Sequence, residues 1–155
     1  MQTKIKYWIT AIAGLCCTSG VLYAQVEPVW SDGIIPTLSV WSGVYSAAQA
    51  RRGENAYQDD QCGDCHGQAL EGDPDNGVPE LAGSHFMVDW DGYSVLELVR
   101  HMHSMPIGNP GDVGIMEATD LSAFILRENK IPSGNGDLSL DRHVLAGMRM
   151  DAQKP

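Results

Sequence analysis

After its first two dozen residues the chain holds only two cysteines, Cys62 and Cys65. That excludes a multi-disulfide scaffold and leaves too few thiols for an all-cysteine zinc site. Long apolar runs are scarce as well: the stretch from Trp8 to Cys17 is too short to span a bilayer. No alternating strand pattern of useful length and no internal repeat is present. Positive charge is missing from a long central segment. Between Arg52 and Arg100 there is no Lys or Arg, while eleven acidic residues fall there, from Glu54 to Glu97. From Gln25 onward eight basic residues stand against twenty acidic ones, a formal charge of −12, which argues against a nucleic-acid partner.

The short apolar stretch has the form of a targeting signal. Lys4 and Lys6 make a basic start, Trp8 to Cys17 an apolar centre, and Leu22-Tyr23-Ala24 a cleavage site before Gln25. Residues 1–24 are therefore expected to be a signal peptide, with the mature chain in the periplasm and no stable membrane insertion after cleavage. About 130 residues remain, enough for one domain. They are rich in Gly and Pro, so a core built from side chains alone would be modest.

The two remaining cysteines belong to Cys62-Gly63-Asp64-Cys65-His66, the CxxCH attachment signature of c-type haem. Residues i and i+3 share a face of one helical turn, so both sulfurs can reach the two vinyl groups on one edge of a porphyrin. His66 follows at once and can offer its imidazole to the iron. A thioredoxin-like dithiol would need a βαβ pattern, which is missing. The acidic segment surrounds this motif and has two readings: a solvated surface, or a negative face that steers a positively charged redox partner.

The other segments can be placed around the motif. Residues 25–45, punctuated by Pro28, Gly33, Pro36 and Gly43, read as an extended arm lying on the domain or on a partner. Residues 46–150 form the expected domain and 151–155 a tail. Ser46 to Gln61 predicts a first helix, capped by Ser46, with Gly53 and Tyr57 one turn apart on one side. A glycine inside a helix costs about 1 kcal/mol relative to alanine, and close approach of another helix would explain it. Gly67 to Tyr93 reads as a loop that wraps a cofactor. In it Leu81, Phe86 and Trp90 supply apolar cover, and the Val78–Gly83 stretch supplies a carbonyl for the second ring nitrogen of His66.

Ser94-Val95-Leu96-Glu97 is a capping box that opens a helix ending near Ser104, since Met105 precedes Pro106. Met105 then begins a Gly/Pro-rich loop to Gly114, where its thioether can cross to the second face of a haem. Glu117 to Asn129 predicts a further helix, with Leu121 and Phe124 as partners for Gly53 and Tyr57. Asp141 to Met150 adds a short one.

With a helix bearing Gly and an aromatic residue, CxxCH, a Pro-containing loop, a late Met-Pro and an aromatic last helix, the chain resembles class I cytochromes c. From Ser39 to Gly53, at Asn109-Pro110-Gly111 and at Ser122-Ala-Phe-Ile-Leu126, it looks like small secreted cytochromes that accompany quinoprotein (PQQ-dependent) alcohol dehydrogenases. The resemblance implies an all-α cytochrome c-like fold of three to four helices and long loops around one covalent haem c. It implies thioether bonds at Cys62 and Cys65, iron ligation by His66 and Met105, a Pro79 carbonyl holding His66, Gly53 and Tyr57 packed on Phe124, and Trp90 bonded to a propionate. Where such cytochromes often open the last helix with Ser or Thr, this chain has Gly114.

For the sixth ligand His101, His103, Met102 and an open position stand beside Met105. The choice bears on function. His/Met ligation saturates the iron and suits electron transfer between a periplasmic dehydrogenase and an oxidase or another carrier, without enzymatic activity of its own. An open position would suit a haem enzyme or a gas-binding sensor.

Overall fold

A computed structural model describes residues 36–60 and 62–155. The expected signal peptide and residues 25–35 of the expected arm lie outside the described residues. The described chain is mostly helical: α1 (Ala47–Asp59), α2 (Gly63–His66), α3 (Ser84–Asp89), α4 (Val95–His103), α5 (Ile115–Glu128) and α6 (Arg142–Ala146). A two-residue parallel pair, β1 (Leu38–Ser39) with β2 (Met148–Arg149), joins the two ends. No helix among the described residues is long and apolar enough to cross a membrane.

The helix count exceeds the three to four expected. The extra elements are short. α2 is the single turn of the CxxCH motif, and α3 lies inside the stretch read as loop, where six residues carry too little periodicity to announce a helix. A 3-10 turn over Pro74–Asn76 interrupts the same stretch. The longer helices start from readable signals. The Ser46 hydroxyl accepts from the Gln49 N–H, and α4 has its capping box complete, with Ser94 accepting from Glu97 N and Glu97 accepting from Ser94 N. Each such cap is worth about 1 kcal/mol. α5 begins two residues earlier than expected, from Gly114, with no side-chain cap.

The most extensive packing is between α1 and α5, and α4 packs on α5 as well. A Cβ at Gly53 would collide with the backbone carbonyl of Asp120, so the glycine is what lets α1 and α5 approach backbone to backbone. One turn on, Tyr57 meets Phe124 with ring centroids 5.3 Å apart. Ion pairs lock the same contact at its edges. Arg52 holds Asp120 through Nε and Nη2 at 2.8 and 2.9 Å. Arg127 reaches Glu54 at 2.9 Å while lying over the Phe124 ring. On the α4 side Leu98 and Val99 are fully buried, each contributing about 2 kcal/mol of apolar burial.

Residues 36–45 lie on the domain. Val40 and Tyr45 are buried, Tyr45 Oη donates to the Ile131 carbonyl (2.6 Å), and the Trp41 indole donates to the Asp151 carbonyl (2.9 Å).

Candidate functional site

The CxxCH segment forms one tight turn directly after α1. Cys62 N donates back to the Tyr57 carbonyl (3.2 Å), and the N–H groups of Cys65 and His66 both donate to the Cys62 carbonyl (3.3 and 2.9 Å). Both cysteines are free thiols, Cys62 half-buried and Cys65 exposed. Burial, and next the negative charge of Asp60, push the Cys62 thiol up from its ordinary value. An exchange cysteine works as a thiolate, so this shift runs against disulfide chemistry. Thiols on one turn can instead add to two vinyl groups of a single ligand.

His66 is fixed by the segment that follows it. Its Nδ1–H donates to the Pro79 carbonyl at 3.1 Å, which in the neutral ring selects the tautomer whose lone pair is on Nε2. Several contacts bring that carbonyl back to the ring. Tyr57 Oη donates to the Gly67 carbonyl at 2.8 Å and Gly72 N to the His66 carbonyl at 2.8 Å. Gly72 has φ +67°, and a Cβ there would lie 2.6 Å from the Pro79 carbonyl carbon, so both its conformation and its neighbour demand glycine. Asp73 and Val78 exchange backbone bonds of 2.9 Å in both directions, and Leu81 N donates to Leu70 O at 2.8 Å.

Asn129 completes this frame, a role that sequence reasoning missed by treating the residue as a helix end. It is buried at the C-cap of α5. Its Nδ2 donates to the Leu81 and Ile125 carbonyls, each at 2.9 Å, and its Oδ1 accepts from Gly83 N at 2.9 Å. The last helix thereby holds the loop that presents Pro79. No local signal marked it: Asn129 has an ordinary φ of −81°, and the left-handed position that usually takes glycine is the next residue, Lys130, at φ +64°.

Beyond that loop, Leu81 and Phe86 are buried. Trp90 is half-buried, 5.9 Å from Phe86, 5.6 Å from Tyr93 and edge-on to His101 at 5.0 Å. Trp90 thus links Phe86 and His101 through ring contacts on two sides. His101 donates from Nδ1 to the Glu97 carbonyl of its own helix (3.0 Å).

Met105 is half-buried two residues after the end of α4, and the Met105–Pro106 bond is cis. Met102, by contrast, is a core residue. The loop after Pro106 is pinned at His103, whose Nδ1–H donates to Val113 O (2.7 Å) and whose carbonyl accepts from Gly111 N (3.0 Å). α1, which leads into the CxxCH turn, and α4, which leads into Met105, share α5 as their support.

Among the described residues no three His, Cys, Asp or Glu side chains group as a metal-holding cluster. A porphyrin supplies four equatorial nitrogens itself and asks the protein for one or two axial donors. His66 Nε2 and the Met105 thioether are donors of the required kinds. The charge near the turn is negative. The Glu117 carboxyl is pushed up from its ordinary value by burial and then by the negative charge of Asp60. Arg52, just upstream, is engaged by Asp120 and Asp137. Two apolar side chains of the 105–116 segment stand in solvent, Ile107 82% exposed and Met116 67%.

No family model, curated protein or solved structure matches the chain.

Proposed function

We propose that this protein is a periplasmic one-electron carrier with a single haem c, covalently bound through Cys62 and Cys65 and ligated by His66 and Met105. The observation that carries the reading is the His66–Pro79 bond: it leaves Nε2 as a donor on the same turn as two free thiols. The residue types present support this group. Two thiols sit at i and i+3, an imidazole has its tautomer fixed, a thioether stands on a separate loop, and Leu81, Phe86 and Trp90 offer apolar cover.

When bound, the haem supplies an iron that cycles between Fe(II) and Fe(III). The chain's own residues do the rest. Cys62 and Cys65 anchor the group, so it is not lost to partners. The Pro79 carbonyl, by accepting from Nδ1, raises the basicity of the opposite nitrogen. Met105 adds a soft ligand that favours the reduced state and raises the potential. With His66 and Met105 both holding the iron, no position would be left for substrate, so the activity would be electron transfer rather than catalysis. The acidic segment, and the engagement of Arg52 and Arg127 by carboxylates, support a redox donor with a positive docking face. A periplasmic dehydrogenase such as a quinoprotein is the donor this reading names, with an oxidase or another carrier as acceptor.

Carbon monoxide added to the ferrous protein tests the reading. A Met-closed iron binds it slowly. Rapid and complete binding would favour a haem enzyme or sensor with an open sixth position.

A further inference from the structure

Met105 sits at the beginning of a loop dense in Gly and Pro, where the backbone by itself would sample many conformations. Its attachment to the fold is uneven. On its N-terminal side, Met105 N donates to the Met102 carbonyl at 3.1 Å, a continuation of α4. On the other side, Pro106 to Asp112 make local turns, such as Asn109 N to Pro106 O at 2.9 Å, and one longer bond, from Gly111 N back to His103. Ile107 stands largely in solvent, so side-chain burial does not hold the loop there.

What closes the loop is one residue. The His103 carbonyl accepts from Gly111 N at 3.0 Å, and its ring donates from Nδ1 to the Val113 carbonyl at 2.7 Å. The backbone part of this clamp would survive any substitution at 103; the ring part would not. Val113 is itself buried, so the ring ties the loop to a fixed point. The loop thus leaves α4 after His103 and returns to His103, with Met105 two residues from the clamp. A ligand on a closed loop spends less time away from its metal than one on an open loop, because closure removes the conformers in which it is displaced.

We propose that His103 is a positioning residue that keeps Met105 on the iron by clamping the 106–114 loop through its Nδ1–H bond to Val113. The proposal rests on the reading of Met105 as an axial ligand. It assigns His103 a role through its ring donor and no bond to the metal.

The test uses the holoprotein with three substitutions. His103→Leu removes the donor at an exposed position, and His103→Asn places an amide N–H close to where Nδ1 stood. Met105→Ala is the control for the reading itself. For each, covalent haem content, the sulfur-to-iron charge-transfer absorbance of the ferric form and the rate of carbon monoxide binding to the ferrous form are measured. His103→Leu is expected to keep full haem content, bind carbon monoxide about tenfold faster than the parent and weaken the charge-transfer absorbance. His103→Asn is expected to restore both close to the parent. A His103→Leu protein indistinguishable from the parent overturns the proposal. So does a His103→Asn protein that behaves like His103→Leu, the result expected if His103 were itself the ligand. If Met105→Ala matches the parent, the ligand reading fails first and separately.

Discussion

Asn129 Nδ2 donates to the Leu81 carbonyl at 2.9 Å, joining the end of the last long helix to a loop 48 residues earlier. With the bond from Gly83 N to Oδ1, this side chain fixes the loop two residues after Pro79, the acceptor for His66. Replacing Asn129 with Leu leaves the buried Leu81 carbonyl and the part-buried Gly83 N–H without their partner. The expected loss is about 2–3 kcal/mol in urea unfolding of the holoprotein. Asn129→Asp keeps the acceptor for Gly83 N but sets a carboxylate oxygen against the Leu81 and Ile125 carbonyls, and is expected to lose at least as much at neutral pH. Equal stability of parent and Asn129→Leu would mean that the loop is held by other contacts.

Gly53→Ala sets two effects against each other. Helix propensity favours alanine by about 1 kcal/mol, while the added Cβ collides with the Asp120 carbonyl. Backbone cannot step aside as a flexible side chain can. We expect a net loss of about 3 kcal/mol in urea unfolding, mainly through a faster unfolding rate. A stabilised variant would contradict the close approach of α1 and α5.

Tyr57 gives a pH dependence with a defined sign. Its phenol is pushed up to about 12, first by burial and then by the charges of Cys62, Glu71 and Cys65. Thioether formation would remove the sulfur charges and leave burial, the largest cause. Because the folded value lies above the ordinary 10.0, the contribution of Tyr57 is complete below that pH and is lost as pH rises through about 12. Tyr57→Phe lacks the Gly67 bond and is expected to be about 1 kcal/mol less stable at neutral pH, the gap closing over the alkaline range. Urea midpoints from neutral pH to pH 12 check this; a constant gap would contradict it.

The acidic segment makes a prediction that needs no natural partner. Reduction by a cationic reagent such as hexaammineruthenium(II) should slow as salt rises, while oxidation by anionic ferricyanide should speed up. Salt-independent rates for both would leave the acidity as a feature of solubility alone.

Met105→Ala should keep the covalent haem, lower the reduction potential and open the iron to added ligands. Protein-film voltammetry reads the potential directly. An unchanged value would place the sixth ligand elsewhere.

What could be read in advance follows the range of the interactions. The caps at Ser46 and Ser94 and the CxxCH turn depend on residues within one turn of each other, and their spacing is visible in the chain. Gly53 was legible for another reason: a glycine amid helix formers requires a close neighbour, and Leu121 and Phe124 were the apolar residues available on the facing helix. The two-residue strands and α3 were not legible, because neither is long enough to establish a period. Nor were the bonds made by Asn129 and by the His103 ring. An Asn at a helix end and a His on a helix surface have common local explanations, and only the path of the loops brings Leu81 and Val113 to them. Pro79 could be named as a partner for His66 through family resemblance; Gly72, which lets the two meet, could not.

The most direct measurement of the central claim is the intact mass of the protein produced in a periplasm that carries out c-type haem attachment, taken after denaturation and acid-acetone extraction. The account predicts the chain from Gln25 onward plus one haem, retained through extraction and lost when Cys62 and Cys65 are both replaced by Ala. A protein of the mass of the polypeptide alone, produced where a known c-type cytochrome is fully loaded, would contradict it.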